Sequence, residues 1–218
     1  SFGFYGMWKL AQMASKDVRV ILSGEGADEL FGGYDRYLPV AREYELRKAF
    51  PSYPFLFDRH YGKPDYAGAF ARITARNDKY VDFVREQVTP YFSMFEDPVN
   101  AMGFADFKLI FPSLLQMGDR MAGAFGIENR CPFLDRRIIE FAFSLPPHLK
   151  IDTLQQKVLL RRLAAKHGLH DALNMEKRGM AVPYNIWKKE PGWDRTHYFN
   201  FLKSTWSKIH HKPKKRSS

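Results

Sequence analysis

A group of acidic side chains directly follows an apolar segment near the start of the chain. The stretch VRVILSGEGADELFGGYDRY, residues 18–37, passes from β-branched residues into glycines and then into Glu25, Asp28 and Glu29. Carboxylates at the mouth of a buried strand cost free energy unless their charge is compensated. A nearby cation or polyphosphate would account for them. Ligand binding is expected at this place because the crevice of an α/β protein opens at the carboxyl ends of its strands.

The turn that carries these acids has groups able to approach a ligand closely. Ser23 supplies a hydroxyl, and Gly24 and Gly26 let the backbone come near a ligand or adopt a positive φ. Asp28 also fits a purely structural explanation, since the helix dipole stabilises an acid in the first turn of a helix without any ligand. The turn is not a Walker-type phosphate loop, because neither GxxxxGK nor GxGxxG is present. Both explanations of the acids remain open on the local pattern alone.

A short strand and a set of helices must position these groups. The β-branched residues 18–22 predict a buried strand between turn formers. A helix is predicted over residues 8–16, and another begins at Asp28 and fails at Gly32-Gly33. The strand needs neighbours, and since the sequence offers few, we expect them upstream of this chain. Helical spacing is also predicted over residues 36–50, and over 66–95 and 101–121 with Pro90 and Pro112 as local interruptions. Further helices are predicted from the cap Asp135 to Phe143, and from Asp152 or Thr153 to Gly168.

The composition is that of a folded domain. The chain has 218 residues, enough for one good-sized domain or part of a larger one. Hydrophobic residues make up 45% and aromatic residues 16%, which excludes a disordered chain. Cys131 is the only cysteine, so an internal disulfide framework and a cysteine-rich zinc site are excluded. This cysteine usage suits a reducing compartment and a cytoplasmic location, and the sequence predicts no membrane span and no signal peptide.

About half of the net charge of +10 lies in a short carboxyl-terminal segment. Residues 204–218, with the basic sequence KIHHKPKKRSS, are predicted to be a disordered tail after one folded region, residues 1–203. Such a tail can bind nucleic acid or an acidic partner. We favour a solvated terminus and do not expect nucleic-acid binding, because no aromatic-rich reader motif accompanies the charge. Salt-sensitive RNA binding that is lost when residues 208–218 are deleted would reverse this preference.

Several motifs, in a fixed order, resemble one enzyme family. SGEGADELFGGY is similar to the signature of the asparagine synthetase family, in the ATP-pyrophosphatase domain that follows its glutaminase domain. The segments IENRCPFLD, LPPHLKI and MEKRGMAVPYNIW follow in the order that the family requires. The resemblance covers residues 8–187 and is weakest over residues 49–100. It implies an α/β, parallel-sheet domain of the ATP-pyrophosphatase (adenine nucleotide alpha hydrolase-like) type, of which this mostly α-helical chain is the carboxyl-terminal part.

The resemblance implies an amide-forming ligase that uses ATP and Mg²⁺. In such an enzyme the side-chain carboxylate of aspartate is activated as an acyl-adenylate, and pyrophosphate is released. Ammonia produced from glutamine in an amino-terminal glutaminase domain then attacks the adenylate to give asparagine. Mg²⁺ and a lysine can stabilise the charge that builds up on the departing phosphates. The implied partners are therefore small molecules and the glutaminase domain, with a homodimer left open.

The resemblance also assigns roles to individual residues. Asp28 matches the Mg²⁺-binding aspartate, a hard oxygen ligand suited to a hard cation. Lys177 matches the lysine over the reacting phosphates, and Glu128 matches a carboxylate that orients groups or handles protons in the same cavity. The positions that line the nucleotide and acyl-adenylate site are Ser23, Gly24, Glu25 and Gly26, with Glu25 also counted as catalytic.

Plainer explanations exist for two of these residues. Lys177, in the sequence EKRG, can be a solvated lysine near a turn. Glu128, in IENR, can be an ion-pair partner of Arg130. On these explanations neither side chain would take part in the chemistry.

The chain also departs from the family pattern. The pyrophosphate loop SGGxDS is absent, and Ser1 stands where the glutaminase domain needs a cysteine. We therefore expect the isolated chain to hold part of an active site and to form no asparagine by itself. A sister enzyme on the same scaffold remains an alternative, either a β-lactam synthetase or a peptide macrocyclase, because the local motifs serve the adenylation step that these enzymes share.

Overall fold

The computed structural model describes residues 3–50, 59–60, 63–75, 77–152 and 155–174. The chain divides into two compact units, Met7–Lys177 and a second unit made of Ser1–Gly6 with Arg178–Ser218. The strand-and-turn region of interest lies in the first unit. Lys177 and the predicted tail, residues 204–218, fall outside the described residues, so the predicted boundary after residue 203 stays a prediction.

The described residues are mostly helical, as predicted. Their α-helices are α1 (Gly3–Ala14), α2 (Ala27–Phe31), α3 (Leu38–Ala49), α4 (Tyr66–Ala75), α5 (Val81–Phe92), α6 (Pro98–Leu109), α7 (Phe111–Gly123), α8 (Arg136–Ser144), α9 (Val158–Lys166) and α10 (His170–Asn174). Their strands are β1 (Val20–Leu22), β2 (Arg59–His60), β3 (Lys63–Pro64) and β4 (Glu128–Arg130). Each of these helices is too short or too polar to span a lipid bilayer.

A small parallel sheet brings two distant parts of the chain together. Strands β1 and β4 pair in parallel, with Val20 opposite Glu128, Ile21 opposite Asn129 and Leu22 opposite Arg130. The parallel direction places the carboxyl ends of both strands at the same edge. The segments after β1 and after β4 therefore meet there. The small parallel sheet agrees with the predicted α/β class, while the specific ATP-pyrophosphatase type stays a prediction.

Helix α6 lies at the centre of the first unit. Most of its side chains are buried, which is typical of a helix covered on all sides. Asp97 begins the helix by accepting a hydrogen bond from the backbone N–H of Asn100, at 2.8 Å, and Pro98 follows as the first helical residue. Met102 and Ala105 pack with Phe70 in one hydrophobic cluster. Burial of each large apolar side chain stabilises the fold by about 1.5–3 kcal/mol.

Helix α2 packs directly against α6. A Cβ placed on Gly103 of α6 would lie 2.4 Å from the backbone oxygen of Glu29 in α2, so only glycine permits this approach. On its other side α2 contributes Leu30 and Phe31 to a second cluster with Ala142 of α8. The two clusters together fix the position of α2 and of the turn before it.

One prediction about strand β1 is wrong, and its partner strand was not predicted. Strand β1 is not buried, since Val20 is 39% and Leu22 73% exposed. The sequence also gave no indication that residues 128–130 form its partner, because the polar segment ENR lacks the apolar pattern of a strand. Backbone hydrogen bonding across the ladder, rather than side-chain burial, defines β4.

The helix predicted to start at Asp152 or Thr153 begins instead at Val158. The preceding segment forms a narrow hairpin in which Ile151 bridges Gln156. The backbone N–H of Val158 donates to the carbonyl of Lys150, at 3.1 Å, which closes this hairpin. Pairing within this hairpin thus prevails over the capping pattern. The ends predicted for α2 and α9 are confirmed, with Gly32 and Gly168 in the left-handed region.

Candidate active site

The turn between β1 and α2 is shaped by one glycine. Gly26 adopts φ +91 immediately before α2, a conformation that side chains rarely tolerate. A Cβ at this position would also lie 2.9 Å from Cδ2 of Leu134. The backbone N–H of Ser23 donates to the carbonyl of Arg130, at 2.9 Å, and so joins the turn to the end of β4. The turn that was predicted to line a ligand site is thus held against the segment that follows β4.

Side chains from both segments converge on Glu25. Asn129 Nδ2 and Cys131 Sγ each donate to Glu25 Oε2, at 3.4 Å. Cys131 Sγ also lies 3.3 Å from Ser23 Oγ. Gly118 of α7 makes room for the other carboxylate oxygen, since a Cβ there would lie 2.5 Å from Glu25 Oε1. We call Ser23, Glu25, Asn129 and Cys131 the Glu25 cluster.

Burial changes the acidity of the Glu25 cluster. Desolvation raises the pKa of Glu25 above its ordinary value of 4.5, and the hydrogen bonds from Cys131 and Asn129 oppose this rise only in part. The pKa of Cys131 is also raised, and burial is the largest cause. Cys131 is therefore a thiol rather than a reactive thiolate. Glu25 is the carboxyl group of the cluster, and burial makes it bind a proton more tightly than an exposed glutamate does.

Asp28 lies in the first turn of α2 and faces a lysine from a distant element. Lys157 Nζ lies 3.0 Å from Asp28 Oδ1, in an ion pair that lacks hydrogen-bond geometry. Gly33 makes this contact possible, because a Cβ there would lie 1.9 Å from Asp28 Oδ1 and 2.3 Å from Lys157 Cε. The side chain of Asp28 is 34% exposed and that of Lys157 is 32% exposed, so solvent and ligands can reach the pair.

Asp28 is suited to bind a magnesium ion that also contacts a substrate. Its Oδ1 is buried against Lys157 and accepts no hydrogen bond within the described part of the chain, so a cation that displaced the lysine would find lone pairs to bind. Among the described residues there is no group of three or more His, Cys, Asp or Glu side chains that could hold a metal. Mg²⁺ typically binds one or two carboxylates together with waters and phosphate oxygens. Asp28 would therefore supply one protein ligand to Mg²⁺, with waters or the phosphate groups of a ligand completing its coordination.

A buried polar network stands behind Asp28. Glu29 is 3% exposed and accepts a hydrogen bond from the hydroxyl of Tyr34, at 2.6 Å. Next to it Asp106 of α6 accepts hydrogen bonds from Arg36 and Tyr37. Burial raises the pKa of both carboxyls, and the Arg36 guanidinium opposes the rise at Asp106. These contacts fix α2 and the loop after it.

Glu128 is placed apart from the Glu25 cluster. Its side chain is 61% exposed and pairs with Arg130, whose Nε donates to Glu128 Oε1 at 2.8 Å. This hydrogen bond and the charge of Arg130 lower the pKa of Glu128. Because side chains alternate along a strand, Glu128 and Arg130 project from the face opposite to Asn129, which contacts Glu25. The ion pair agrees with the plainer explanation of Glu128.

An open cleft adjoins the Glu25 cluster. Its volume is about 820 Å³. Apolar side chains line part of it together with two arginines, which pair with Glu128 and Asp135. The main lining residues are Leu22, Arg130, Cys131, Arg137, Ile138 and Phe141.

The structure thus brings some of the predicted site residues together and not others. Ser23, Gly24, Glu25 and Gly26 form one continuous turn, with Asp28 in the next helix. Glu128 lies on the other face of the sheet, and Lys177 is outside the described residues. Sequence reasoning missed three contributors. Asn129 and Cys131 were within a recognised motif, whereas Lys157 carried no local signal.

Comparison with known proteins gives a consistent result. The asparagine synthase family matches residues 4–198. The chain is 29% identical over 217 residues to asparagine synthetase (glutamine-hydrolyzing) 1 of Bacillus subtilis (strain 168), a match that covers 84% of this chain and 34% of that protein. It is 31% identical over 208 residues to a putative asparagine synthetase (glutamine-hydrolyzing) of Mycobacterium tuberculosis (strain ATCC 25618 / H37Rv), covering 82% of this chain and 32% of that protein.

A more distant match carries a different name. The chain is 22% identical over 239 residues to amidase chry2 of Gibberella zeae, covering 85% of this chain and 36% of that protein. The chain therefore spans about a third of the length of the curated relatives it matches. No solved structure matches it. Because the family match extends over residues 4–198, a range that includes the Glu25 cluster, Asp28 and Lys157, the chain belongs to the asparagine synthase family.

Proposed function

We propose that this chain is part of an amide-forming ligase that activates a carboxylate with ATP and then transfers ammonia to it. The observation that carries the proposal is the position of the Glu25 cluster and Asp28. Both follow the carboxyl end of β1, where β4 ends as well. This edge of a parallel sheet is the usual place for nucleotide binding in an α/β protein.

The turn residues would bind the nucleotide. Gly24 leaves its surroundings open, since a Cβ there would meet nothing within 4 Å, and a ligand can approach its backbone. Ser23 offers its hydroxyl beside Cys131. Asp28 would hold Mg²⁺, which neutralises charge on phosphate oxygens when bound. Lys177 would add a fixed cation near the same phosphates, as the family resemblance implies.

The proposed reaction has two steps. In the first, a carboxylate oxygen of the substrate attacks the α-phosphorus of ATP, and the bond from that phosphorus to pyrophosphate breaks. In the second, the nitrogen of ammonia attacks the activated carbonyl carbon, a proton leaves the nitrogen, and AMP departs. The products are an amide, AMP and pyrophosphate. With aspartate as the acid and glutamine as the source of ammonia, the amide is asparagine.

Glu25 is the better placed of the two proposed acids to hold the proton released in the second step. Its carboxylate lies within the Glu25 cluster, and burial raises its pKa, which makes it a better proton acceptor than an exposed carboxylate. Glu128 is exposed and its pKa is lowered by Arg130. We propose that Glu25 handles the proton. Glu128 would contribute only if a ligand separated it from Arg130.

The proposal leaves an alternative for the substrate acid whose carboxylate is adenylated. Adenylation needs the same phosphate-binding groups whatever the carboxylate, and the match to a protein named amidase chry2 shows that similar sequences carry other names. The alternative is a sister enzyme that joins a carboxylate to a different amine. We propose aspartate first because the relatives that match at 29–31% identity are named asparagine synthetases. A glutaminase domain and a cytoplasmic location are part of this proposal.

The test uses the native polypeptide that contains these residues, supplied with ATP, Mg²⁺ and one candidate acid at a time. Pyrophosphate release that requires aspartate, together with consumption of glutamine, supports an asparagine synthetase. Release that requires another acid supports the sister enzyme. If no acid stimulates release, and the Asp28→Asn variant behaves like the wild type in nucleotide binding, the ligase proposal fails.

A further inference from the structure

A buried lysine lies outside the residues assigned above. Lys150 is 1% exposed, which is unusual for a lysine unless its ammonium has partners. Its Nζ donates to Asn100 Oδ1 and lies 4.9 Å from the centre of the Phe143 ring. Asn100 is itself fixed, because its Nδ2 donates to Asp97 Oδ2 at 2.9 Å and to the carbonyl of Leu145 at 3.0 Å. Lys150 thus joins α6 to α8 at a point that cannot shift freely.

Lys150 is also the first residue of a hairpin that leads to the candidate site. We call the described residues 150–152 and 155–157 the lysine hairpin. Ile151 bridges Gln156, and the carbonyl of Lys150 accepts a hydrogen bond from Val158. Gln156 Nε2 donates to Asp35 Oδ1, at 3.1 Å, which fastens the far strand of the hairpin to the loop after α2.

The last residue of the lysine hairpin is Lys157, the partner of Asp28. Lys157 has φ 54, in the left-handed region that is costly for a residue with a side chain. Such a conformation persists only when the surroundings enforce it, and it is common at functional sites. Here the surroundings are the two anchors of the hairpin, Lys150 and Gln156. At the end of this hairpin the Lys157 ammonium lies 3.0 Å from Asp28 Oδ1.

We infer that Lys150 is a positioning residue that acts through the lysine hairpin, holding Lys157 beside Asp28 and so setting the affinity of this site for divalent cations and for phosphate groups. The inference rests on the proposed function, since it takes Asp28 as a cation ligand. The Lys157 ammonium competes with a divalent cation for Asp28 and attracts phosphate oxygens to the same place. Loss of its position therefore has opposite effects on the two kinds of ligand.

The experiment measures two affinities separately in the native polypeptide. Mn²⁺ binding is followed by electron paramagnetic resonance without nucleotide, and inorganic pyrophosphate binding by calorimetry without divalent cation. Lys157→Met is expected to bind Mn²⁺ about 3- to 10-fold more tightly and pyrophosphate about 10-fold more weakly. Lys150→Met is expected to change both affinities in the same directions. The double variant should match Lys157→Met within about twofold, because the two residues act through one contact.

Several outcomes separate positioning from a general structural role. A misfolded site loses both ligands, so a Lys150→Met protein that binds Mn²⁺ and pyrophosphate more weakly overturns the inference, as do independent effects in the double variant. If Lys150→Met does not fold, Gln156→Ala decides, since it removes the exposed anchor of the same hairpin: the same pair of opposite changes supports the inference and no change overturns it. Lys166→Met, an exposed lysine at the end of α9, is the charge-matched control.

One further variant distinguishes this inference from the proposed function. Asp28→Asn should weaken Mn²⁺ binding strongly. If it does so while Lys150→Met and Gln156→Ala change nothing, the positioning inference alone fails. If Asp28→Asn leaves Mn²⁺ binding unchanged, Asp28 is not a cation ligand and the magnesium role in the proposed function fails with it.

Discussion

Lys157 Nζ lies 3.0 Å from Asp28 Oδ1, and the chain between these two residues builds α3 to α8. Both side chains are about one third exposed, so the pair is accessible to a competing cation. An exposed ion pair of this kind adds little to stability, with a typical value of about 0–1 kcal/mol. The position of the two side chains therefore matters more for ligand binding than for stability. A substitution at Gly33, which lies beside both of them, tests this.

Gly33→Ala is expected to impair the Asp28 site with little effect on the fold. The added methyl group would lie 1.9 Å from Asp28 Oδ1 and 2.3 Å from Lys157 Cε, so both flexible side chains must move. Because the methyl group would also occupy space beside the carboxylate, Mn²⁺ affinity should fall about tenfold, while the free energy of unfolding changes by less than about 1 kcal/mol. Titration with Mn²⁺ and urea unfolding measure the two effects.

The matched control for this variant is Gly123→Ala. A Cβ at Gly123 would meet nothing within 4 Å, so the substitution should leave Mn²⁺ binding unchanged and be neutral or slightly stabilising. Equal Mn²⁺ affinity in the two variants would show that the space beside Asp28 is not used by a cation.

Gly24→Ala separates the needs of the fold from those of the ligand. A Cβ on Gly24 would meet nothing within 4 Å of the protein, and its φ is not in the left-handed region, so the variant should fold with wild-type stability. If a nucleotide approaches this backbone, the methyl group will obstruct it, and ATP affinity should fall about tenfold or more. A fluorescent ATP analogue measures the affinity. Unchanged binding would remove Gly24 from the proposed nucleotide site.

Glu25→Gln is expected to increase stability near neutral pH while lowering activity. Since burial raises the pKa of Glu25, the folded protein holds a proton that the unfolded chain has released above pH 4.5. The contribution of Glu25 is therefore fully present below pH 4.5 and is lost as pH rises through the folded-state pKa. Glutamine keeps the shape without this titration, so the variant should lose less stability between pH 4.5 and 7 than the wild type.

The activity of the same variant tests the proposed role of Glu25. Pyrophosphate release by the native polypeptide should fall by about 10²- to 10⁴-fold, the usual contribution of a general acid or base. Glu128→Gln is the comparison, and its effect should be small because the Glu128 side chain is exposed and paired with Arg130. A larger loss in Glu128→Gln than in Glu25→Gln would assign the proton to Glu128 instead.

Asp106→Asn is expected to destabilise the protein strongly. Asp106 is 2% exposed and accepts hydrogen bonds from Arg36 and Tyr37, so the substitution leaves the Arg36 guanidinium without its countercharge. Loss of one partner of a buried ion pair costs about 3–5 kcal/mol. Tyr37→Phe removes one hydrogen bond and should cost about 1–3 kcal/mol. Urea unfolding with unchanged m-values measures both losses. An Asp106→Asn loss no larger than that of Tyr37→Phe would contradict the role of the charge.

Much of the turn chemistry could be predicted from the sequence, because it depends on local residues. The end of α2 at Gly32 and the cap of α8 at Asp135 follow from backbone preferences that glycine and aspartate carry wherever they occur. The place of Ser23, Glu25 and Asp28 after a strand follows from the same kind of pattern. The membership in the asparagine synthase family was also predicted correctly.

The contacts that complete the site could not be predicted in this way. Asn129 and Cys131 reach Glu25 because β4 pairs with β1, and the polar segment ENR does not identify itself as a strand. Lys157 reaches Asp28 because a hairpin replaces the first turns of the predicted helix. In the first case pairing between distant strands decides the structure, in the second a local hairpin does, and the hydrophobic and capping patterns of the sequence report neither.

Lys150→Met should change how stability depends on pH. Burial lowers the pKa of Lys150 from 10.5 to about 7, and the charge of Asp97 opposes this only in part. Between pH 7 and 10.5 the unfolded chain therefore holds a proton that the folded protein has released. The free energy of unfolding of the wild type should rise with pH through that window, and the titration of Lys150 adds no pH dependence below pH 7. Methionine cannot titrate, and the variant should lack this rise.

The measurement is urea unfolding of both proteins between pH 6 and 9, a range in which the buried tyrosines Tyr34 and Tyr37, with raised pKa values, do not yet ionise. Methionine also leaves Asn100 Oδ1 without its donor, which should lower stability by about 1–3 kcal/mol at every pH and so leave the slope unaffected. Parallel stability curves for wild type and variant would show that the Lys150 ammonium does not lose its proton in the folded protein. Its partners Asn100 and Phe143 would then stabilise the charged form more than burial opposes it.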